Sequence, residues 1–399
     1  MQLDTMRAWW FHRQGLDRLR SVSSAETLSK TGWARSVGGC NPYLTLLARS
    51  GQSRVSVDTD IANIHIHELP SARGCTYVLP AEHFALGLAA GESFRKAEER
   101  VAAKLGVNES EIDRLCDSVL NALSDQALAP DEIRTLTGDA SRSLGEEGKA
   151  KGLSSTLPIA LGKLQSMGLI RRVPIDGRLD QQRYKYIAWR PSPKSEFCMD
   201  ADEVFTELGR LYFKWTGLAS LAEFQWFSGL GVGAAKKAVA SLNLITIEGT
   251  EERMLLPEDL DAFRTFQFPI EPTYRFVSSI DAISLLRRGT KTLLAESDVA
   301  HPVSTSKGLT SVGSLADLPS NAILDRGRLI GLWEYDPLTE ELIWTTFVPR
   351  SDALTAAALE MVTYIRDQLG DARSFSLDSP KSRAPLLAAL RESAAAETY

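Results

Sequence analysis

The order of signals between about Leu120 and Trp189 constrains this chain more than any other feature. PDEIRTLTGDASRSL opens with Pro130 and Asp131, residues suited to a first helical turn, and meets a stop at Gly138. The next stretch, GDASRSLGEEGKAKG, is rich in glycine, serine and charge, and reads as a mobile linker because it offers little apolar surface to bury. SSTLPIALGKLQSMGLI predicts a second helix, capped by Ser155 or Thr156 and with Pro158 tolerated in its first turn. Leu157, Leu161, Leu164 and Met167 fall at helical spacing, and Gly168 ends the run. RRVPIDGRLDQQRYKYIAW then predicts a β-hairpin turning at Asp176-Gly177, with Val173, Ile175, Tyr184, Tyr186 and Ile187 along its arms. Helix, connector, helix and basic hairpin in that order describe a winged helix. In such a module the second helix enters the major groove of DNA while the hairpin meets the backbone, and here Lys163, Arg171, Arg172, Arg178, Arg183 and Lys185 supply the charge. The plainer alternative is a winged helix used for packing or for contact with another protein.

The plan recurs on either side. ELGRLYFKWTGLASLAEFQWFSGLGVGAAKKAVASLNLITIEGTEERMLLP offers helix, short helix, glycine turn, a helix carrying Lys236 and Lys237, and a strand pair around Gly249. In the first 85 or so residues MRAWWFHRQGL and SSAETLSKTG read as helices and RGCTYVLPAEHF as a closing strand. Beyond Pro257 the candidates become short strands, TYRFVSSI, GRLIGLWEYDP and ELIWTTFVPR, joined by a polar, serine-rich connection at 302–320 and crossed by one amphipathic helix, SDALTAAALEMVTYIRDQLG. The last residues, RESAAAETY, are expected to fray. The expected fold is therefore α+β: about three tandem winged-helix modules, at 1–90, 91–198 and 199–257, followed by a β-rich, barrel-like unit at 258–399. A chain of 399 residues is long enough for several such cores.

Composition bounds the setting. No apolar run approaches the roughly 18–20 residues that cross a bilayer. MQLDTMRAWWFHRQGL has an acid, bases and an aromatic cluster where a secretory signal needs an unbroken apolar stretch, so a cytoplasmic location is expected, with no membrane partner. Cysteines 40, 75, 116 and 198 are scattered without CxxC spacing, which argues against structural zinc and a disulfide framework. The net charge of −6 leaves room for a local basic face, since salt screens charges beyond about 8–10 Å.

Few residues announce chemistry. His65 and His67 form an HxH pair, but Glu68 points to the opposite face of an extended strand and nothing local completes a site, so no metal and no cofactor are expected. Trp9, Trp10 and Phe11 read as core in preference to a base-stacking platform. The chain carries no GxSxG elbow, Walker loop or GxGxxG in a strand-turn-helix context.

Five stretches taken in order, TGWARSVGGCNPYLTLLAR at 31–49, ELPSARGCTYVLPAEHFAL at 68–86, AEFQWFSGLG at 222–231, SIDAISLLRR at 279–288 and GRLIGLWEYD at 327–336, resemble the AlkZ/YcaQ-like winged-helix DNA glycosylases. The resemblance spans nearly the whole chain. It implies three winged helices and a terminal β-barrel around duplex DNA, and metal-independent excision of alkylated or crosslinked bases. The family's catalytic signature, a glutamine, an apolar residue and then glutamine or aspartate, precedes a proline and an apolar helix. Matching Pro42 and Tyr43 puts Gly38 and Cys40 at the two polar positions, so both catalytic side chains are missing. An oxocarbenium-like sugar needs a carboxylate or amide acceptor near its anomeric carbon, which glycine does not provide. Cys40 has no local base to take its proton.

Asn41, Glu68 and Asp281 are the candidate catalytic acceptors; the plain alternative for each is a turn, surface or structural role. Alternatively the Gly38-Gly39 backbone approaches DNA phosphate while Arg35 and Arg73 pair with the backbone. The expected function is repair of damaged double-stranded DNA by base excision or damage recognition, carried out by a monomer. The competing expectation is a non-catalytic winged-helix regulator of transcription.

Overall fold

The computed structural model describes residues 3–287, 289–305 and 308–396. Arg288, Ser306, Lys307 and the last three residues of RESAAAETY, which the sequence reading included, lie outside the described residues.

The chain is a mixed α+β fold in which three groups of helices each lead into a small antiparallel sheet. In the first group, helices Leu3–Arg13, Ser24–Thr31, Asn41–Ser50 and Arg54–Ala62 accompany a three-stranded sheet with Thr76–Pro80 between Ala34–Arg35 and Ile66–Pro70. Ser23 and Ser53 start the second and fourth of these helices by accepting bonds from the Glu26 and Ser56 amides. The second group comprises helices Phe84–Lys104, Glu109–Ala122, Pro130–Thr137, Gly145–Ala150 and Leu157–Ser166, then the hairpin Ile170–Pro174 with Tyr184–Ala188. The third has helices Ala201–Thr216, Leu221–Ser228 and Val232–Val239 and a short strand pair, Ile245–Thr246 with Met254–Leu255. Asp200 with Glu203, and Ser220 with Glu223, form capping boxes that fix where its first two helices begin.

The C-terminal part departs from the expected barrel. Its strands lie in the order Glu341–Thr346, Arg328–Asp336, Asn321–Asp325, Tyr274–Val277, all antiparallel, and the two outer strands do not pair with each other. Four strands are too few to close, so the sheet stays open and is covered by helices. Helix Asp352–Tyr364 continues as a π-turn at Ile365–Leu369, and a further helix, Pro380–Ala396, takes in the described part, Arg391–Ala396, of the stretch expected to fray. That last helix is held by Leu387 and Leu390, both buried, and by Arg383, which pairs with Asp371 at 2.7 Å and donates to the Tyr335 carbonyl. The serine-rich connection contains a hairpin, Pro302–Thr305 with Gly308–Ser311. The stretch read as a mobile linker is ordered too: Leu144 buries into the second group's core, and Lys149–Glu146 and Lys151–Glu147 pairs at 2.7 Å lie along its short helix.

One core belongs to the second group alone, running from Ala102 to Tyr186. The others are shared across the chain. Trp10 and Phe11 pack with Leu324, Leu332 and Leu390, and Tyr43 and Leu44 with Phe276, Trp333 and Ile365. Trp9, Trp10 and Phe11 are core residues, and the Trp10 indole donates to the Leu218 carbonyl at 2.9 Å. No described helix is long and apolar enough to cross a membrane.

Candidate functional site

The loop Arg35–Cys40 leads from an edge strand into helix Asn41–Ser50, and its side chains divide between two faces. Arg35 and Val37 line a recess of about 250 Å³ completed by Ser279, Ser284, Thr290 and Phe375. Ser36 turns instead toward strand Ile66–Pro70 of its own sheet, and Gly38 toward the hairpin of the second group. Ser36 Oγ donates to Glu68 Oε1, and Gly38 faces Gln182.

Gly38 holds φ +74°, a left-handed conformation that favours glycine. A Cβ built on it would stand 2.0 Å from Gln182 Cγ and 2.1 Å from its amide carbon and nitrogen. At Gly39 a Cβ would stand 2.2 Å from the Ser374 carbonyl oxygen and 2.4 Å from that of Arg373. The segment around Ser374 runs beside the loop, with the Cys40 amide donating to the Arg373 carbonyl at 2.9 Å and the Ser376 amide to the Val37 carbonyl at 3.0 Å. The two glycines therefore admit other parts of the same chain.

Each of the three expected acceptors is buried. Asn41 is 1 % exposed; its amide donates to the Arg35 carbonyl at 2.6 Å and accepts from Thr45 Oγ1 at 3.3 Å, bonds that set the shape of the loop. Asp281 is 0 % exposed, chelates both Arg49 nitrogens at 2.8 Å, and caps the short helix Ala282–Leu285 through the Ile283 amide. Its lone pairs are engaged by Arg49, Thr45 and the Ile283 amide, the arrangement of a structural carboxylate. Glu68 is 3 % exposed, but its Oε2 has no hydrogen-bond partner among the described residues and lies 3.8 Å from Arg172. Tyr184 packs close to that carboxylate, and burial, then the Glu68 charge, pushes its hydroxyl pKa up. Burial also drives the Cys40 thiol well above its usual range, with Asp180 and Asp371 adding to the effect. Burial disfavours the thiolate there.

The basic residues separate into tied and available groups. Arg178 is bound bidentately by Asp180 at 2.9 and 2.5 Å and donates to the Leu369 carbonyl, so it serves as an internal strut. Arg172 lies over Tyr184 and Tyr186 and beside Glu68. Both are among the charges expected to reach DNA phosphate; each leans on a buried carboxylate, with 34 % of the Arg172 side chain and 20 % of the Arg178 side chain exposed. Lys163 is paired with Asp113 at 2.5 Å, and Arg35 donates to the Thr76 carbonyl at 2.7 Å while covering the Tyr77 ring. Arg73, at φ +56°, stacks 3.5 Å above Trp226. Arg171 and Lys185 are half-buried, with Arg171 pulled down in pKa by burial. Arg183 is exposed, 3.6 Å from an equally open Asp176.

The two histidines part company. His65 is exposed and paired with Asp60 at 3.0 Å, whereas His67 is buried between Phe84 and Trp189 with neither ring nitrogen hydrogen-bonded to a described residue. Burial, reinforced by Arg171 and Arg172, pushes the His67 pKa down to about 3.

Sequence reading missed Gln182. The expected two-residue turn at Asp176-Gly177 is in fact a longer connection containing a 3-10 turn at Leu179–Gln181, because Leu179 buries against the first group and its amide donates to the Tyr43 hydroxyl at 3.0 Å. Gln182 follows at φ +50°, exposed, its amide making no hydrogen bond to a described residue. The sequence carried only a pair of glutamines in a polar turn; nothing local places one of them over Gly38.

Comparison with known proteins gives these features a setting. A family model described as DNA glycosylase AlkZ-like matches residues 38–391. Among solved structures, the Streptomyces sahachiroi DNA glycosylase AlkZ is similar to this chain with a TM-score of 0.68 at 19% sequence identity, over 94% of this chain and 98% of that one. No curated protein matches.

Proposed function

Because the chain belongs to the AlkZ-like DNA glycosylase family, we propose that it hydrolyses the N-glycosidic bond of alkylated or crosslinked bases in double-stranded DNA, leaving an abasic site. The observation that carries this reading is a family match running from Gly38, inside the loop just described, to residue 391. The three helix-and-sheet groups act in it as winged-helix modules, at 1–90, 91–198 and 199–257, and 258–399 as the closing β-rich unit, in a cytoplasmic monomer. Arg171, Arg183 and Lys185 are the hairpin charges proposed to meet phosphate, with Lys163, Arg35 and Arg73 set further back against their partners.

In the reaction the bond between C1′ and the base nitrogen breaks with its electron pair moving to the base, where it cancels the positive charge of an N7-alkylated purine. Water adds to C1′ and releases its proton to solvent. The departing base is a good leaving group, so the protein's task is to stabilise a cationic sugar and hold a water. Asn41 holds the loop, and Asp281 holds the helix that follows it. Glu68 places a negative charge behind Ser36, where a poorly screened surrounding extends its reach.

The test is incubation with duplex containing N7-methylguanine, abasic sites being read as strand breaks after alkali. Glu68→Gln keeps an acceptor for Ser36 and removes the charge, and is expected to slow excision by about 10²-fold. A wild-type protein that binds such duplexes yet leaves no abasic site on methylated or crosslinked DNA would sink the reading.

A further inference from the structure

We propose that Gln182 contacts the substrate at this site, its amide occupying the space that residue 38 leaves without a side chain; the proposal rests on the base-excision reading above. The Gln182 amide carbon and nitrogen lie 2.1 Å from where a Cβ of residue 38 would be. Gly38 and Gln182 thus form one composite position, with the backbone from the first group and the functional group from the second.

The turn that carries Gln182 is fixed from two sides. Leu179 is buried and its amide is held by Tyr43, from the helix that follows the loop. Asp180 takes Arg178 through its carboxylate and Arg373 through its carbonyl, at 2.7 Å, and Arg178 reaches on to Leu369. A side chain aimed by so anchored a turn needs little ordering when substrate arrives, which is how positioning contributes to rate. Gln182 itself sits at φ +50° and ψ +31°, a left-handed conformation that non-glycine residues hold rarely and that gathers at functional sites.

Its amide is also free. It is exposed and bonded to no described residue, so both its carbonyl oxygen and its NH₂ remain open to a ligand. Ser36, two residues before Gly38, is buried and donates to the buried Glu68, so the polar group presented outward is the Gln182 amide. An exposed amide of this kind fits a deoxyribose that gains positive charge at C1′ and the water that attacks it. The Gln182 carbonyl accepts one hydrogen bond from that water and turns its negative end toward the sugar. Glutamine takes up no proton, so the water's proton still leaves to solvent.

Single-turnover excision from an N7-methylguanine duplex, with protein in excess, tests this on Gln182→Ala and Gln182→Glu, alongside duplex affinity and the urea unfolding midpoint. The expected result is a fall in rate of about 10²-fold for Gln182→Ala, with affinity and midpoint unchanged, and recovery of rate in Gln182→Glu, which keeps an acceptor oxygen. An active wild type with an equally fast Gln182→Ala overturns the proposal and leaves the parent reading standing. So does a Gln182→Ala that loses affinity instead of rate, or one that unfolds earlier, since either makes Gln182 a phosphate contact or a packing element. An inactive wild type removes the parent reading, and this proposal with it.

Discussion

Replacing Asp281 by alanine separates a structural carboxylate from a catalytic one. In the native chain Asp281 receives both Arg49 nitrogens at 2.8 Å, the Thr45 hydroxyl at 3.2 Å and the Ile283 amide at 3.0 Å, with neither charged partner more than 1 % exposed. After the change the Arg49 guanidinium stays buried with only the Thr45 carbonyl and the Gln14 side chain, each at 3.3 Å. An uncompensated buried charge costs about 3–5 kcal/mol, and a lost N-cap about 1 kcal/mol. The two share one carboxylate and do not add fully, so a loss of about 4 kcal/mol is expected, roughly a thousandfold in the folded-to-unfolded ratio. Equilibrium urea unfolding followed by tryptophan fluorescence measures it, since Trp10 and Trp215 are fully buried. The double variant Arg49→Met, Asp281→Leu, which removes both charges and fills the space, is expected to recover most of the loss. An Asp281→Ala protein that keeps the wild-type midpoint but no longer excises would refute this reasoning and return Asp281 to the chemistry.

Two further outcomes follow from the geometry. The His67 pKa, about 3 when folded, lies below the ordinary value of 6.5, so the unfolded chain binds the extra proton. Stability is then full above pH 6.5 and lost as pH falls; between pH 7.5 and 5.5 the His67 share is about 1.4 kcal/mol, read as the difference in pH dependence between wild type and His67→Phe, and identical profiles would contradict it. For DNA, Arg183→Gln and Lys185→Gln are each expected to lower the slope of log affinity against log salt by about 0.9, whereas Arg178→Gln is expected to lower the unfolding midpoint and spare the slope; the reverse pattern would make Arg178 the phosphate contact.

Local signals proved legible and long-range pairings did not. The helix beginning at Pro130 and the one beginning at Leu157 lie where proline, aspartate, threonine and glycine placed them, because caps and breakers act within a few residues. The final helix was missed for the opposite reason: RESAAAETY has almost nothing apolar of its own, and order comes from Leu387, Leu390 and Arg383 meeting strands many residues upstream. At the site, the loop with its two glycines stood out in the sequence. Its lining did not, since the commitments of Asp281 to Arg49, Glu68 to Ser36 and Gln182 to Gly38 join segments that no spacing rule connects. The basic hairpin was found, but counting its arginines could not tell a strut such as Arg178 from an open charge such as Arg183.

The shared cores carry a consequence for synthesis on the ribosome. Met6, Trp10 and Phe11 rest against Leu324, Leu332, Leu387 and Leu390, so the helix Leu3–Arg13 waits for residues more than 300 positions downstream to be translated before its apolar face is covered. The stretch from Ala102 to Tyr186 closes its own core and can settle while the rest is still being made. Until those downstream residues arrive, Trp9 and Trp10, buried in the folded chain, are apolar surface left open to solvent.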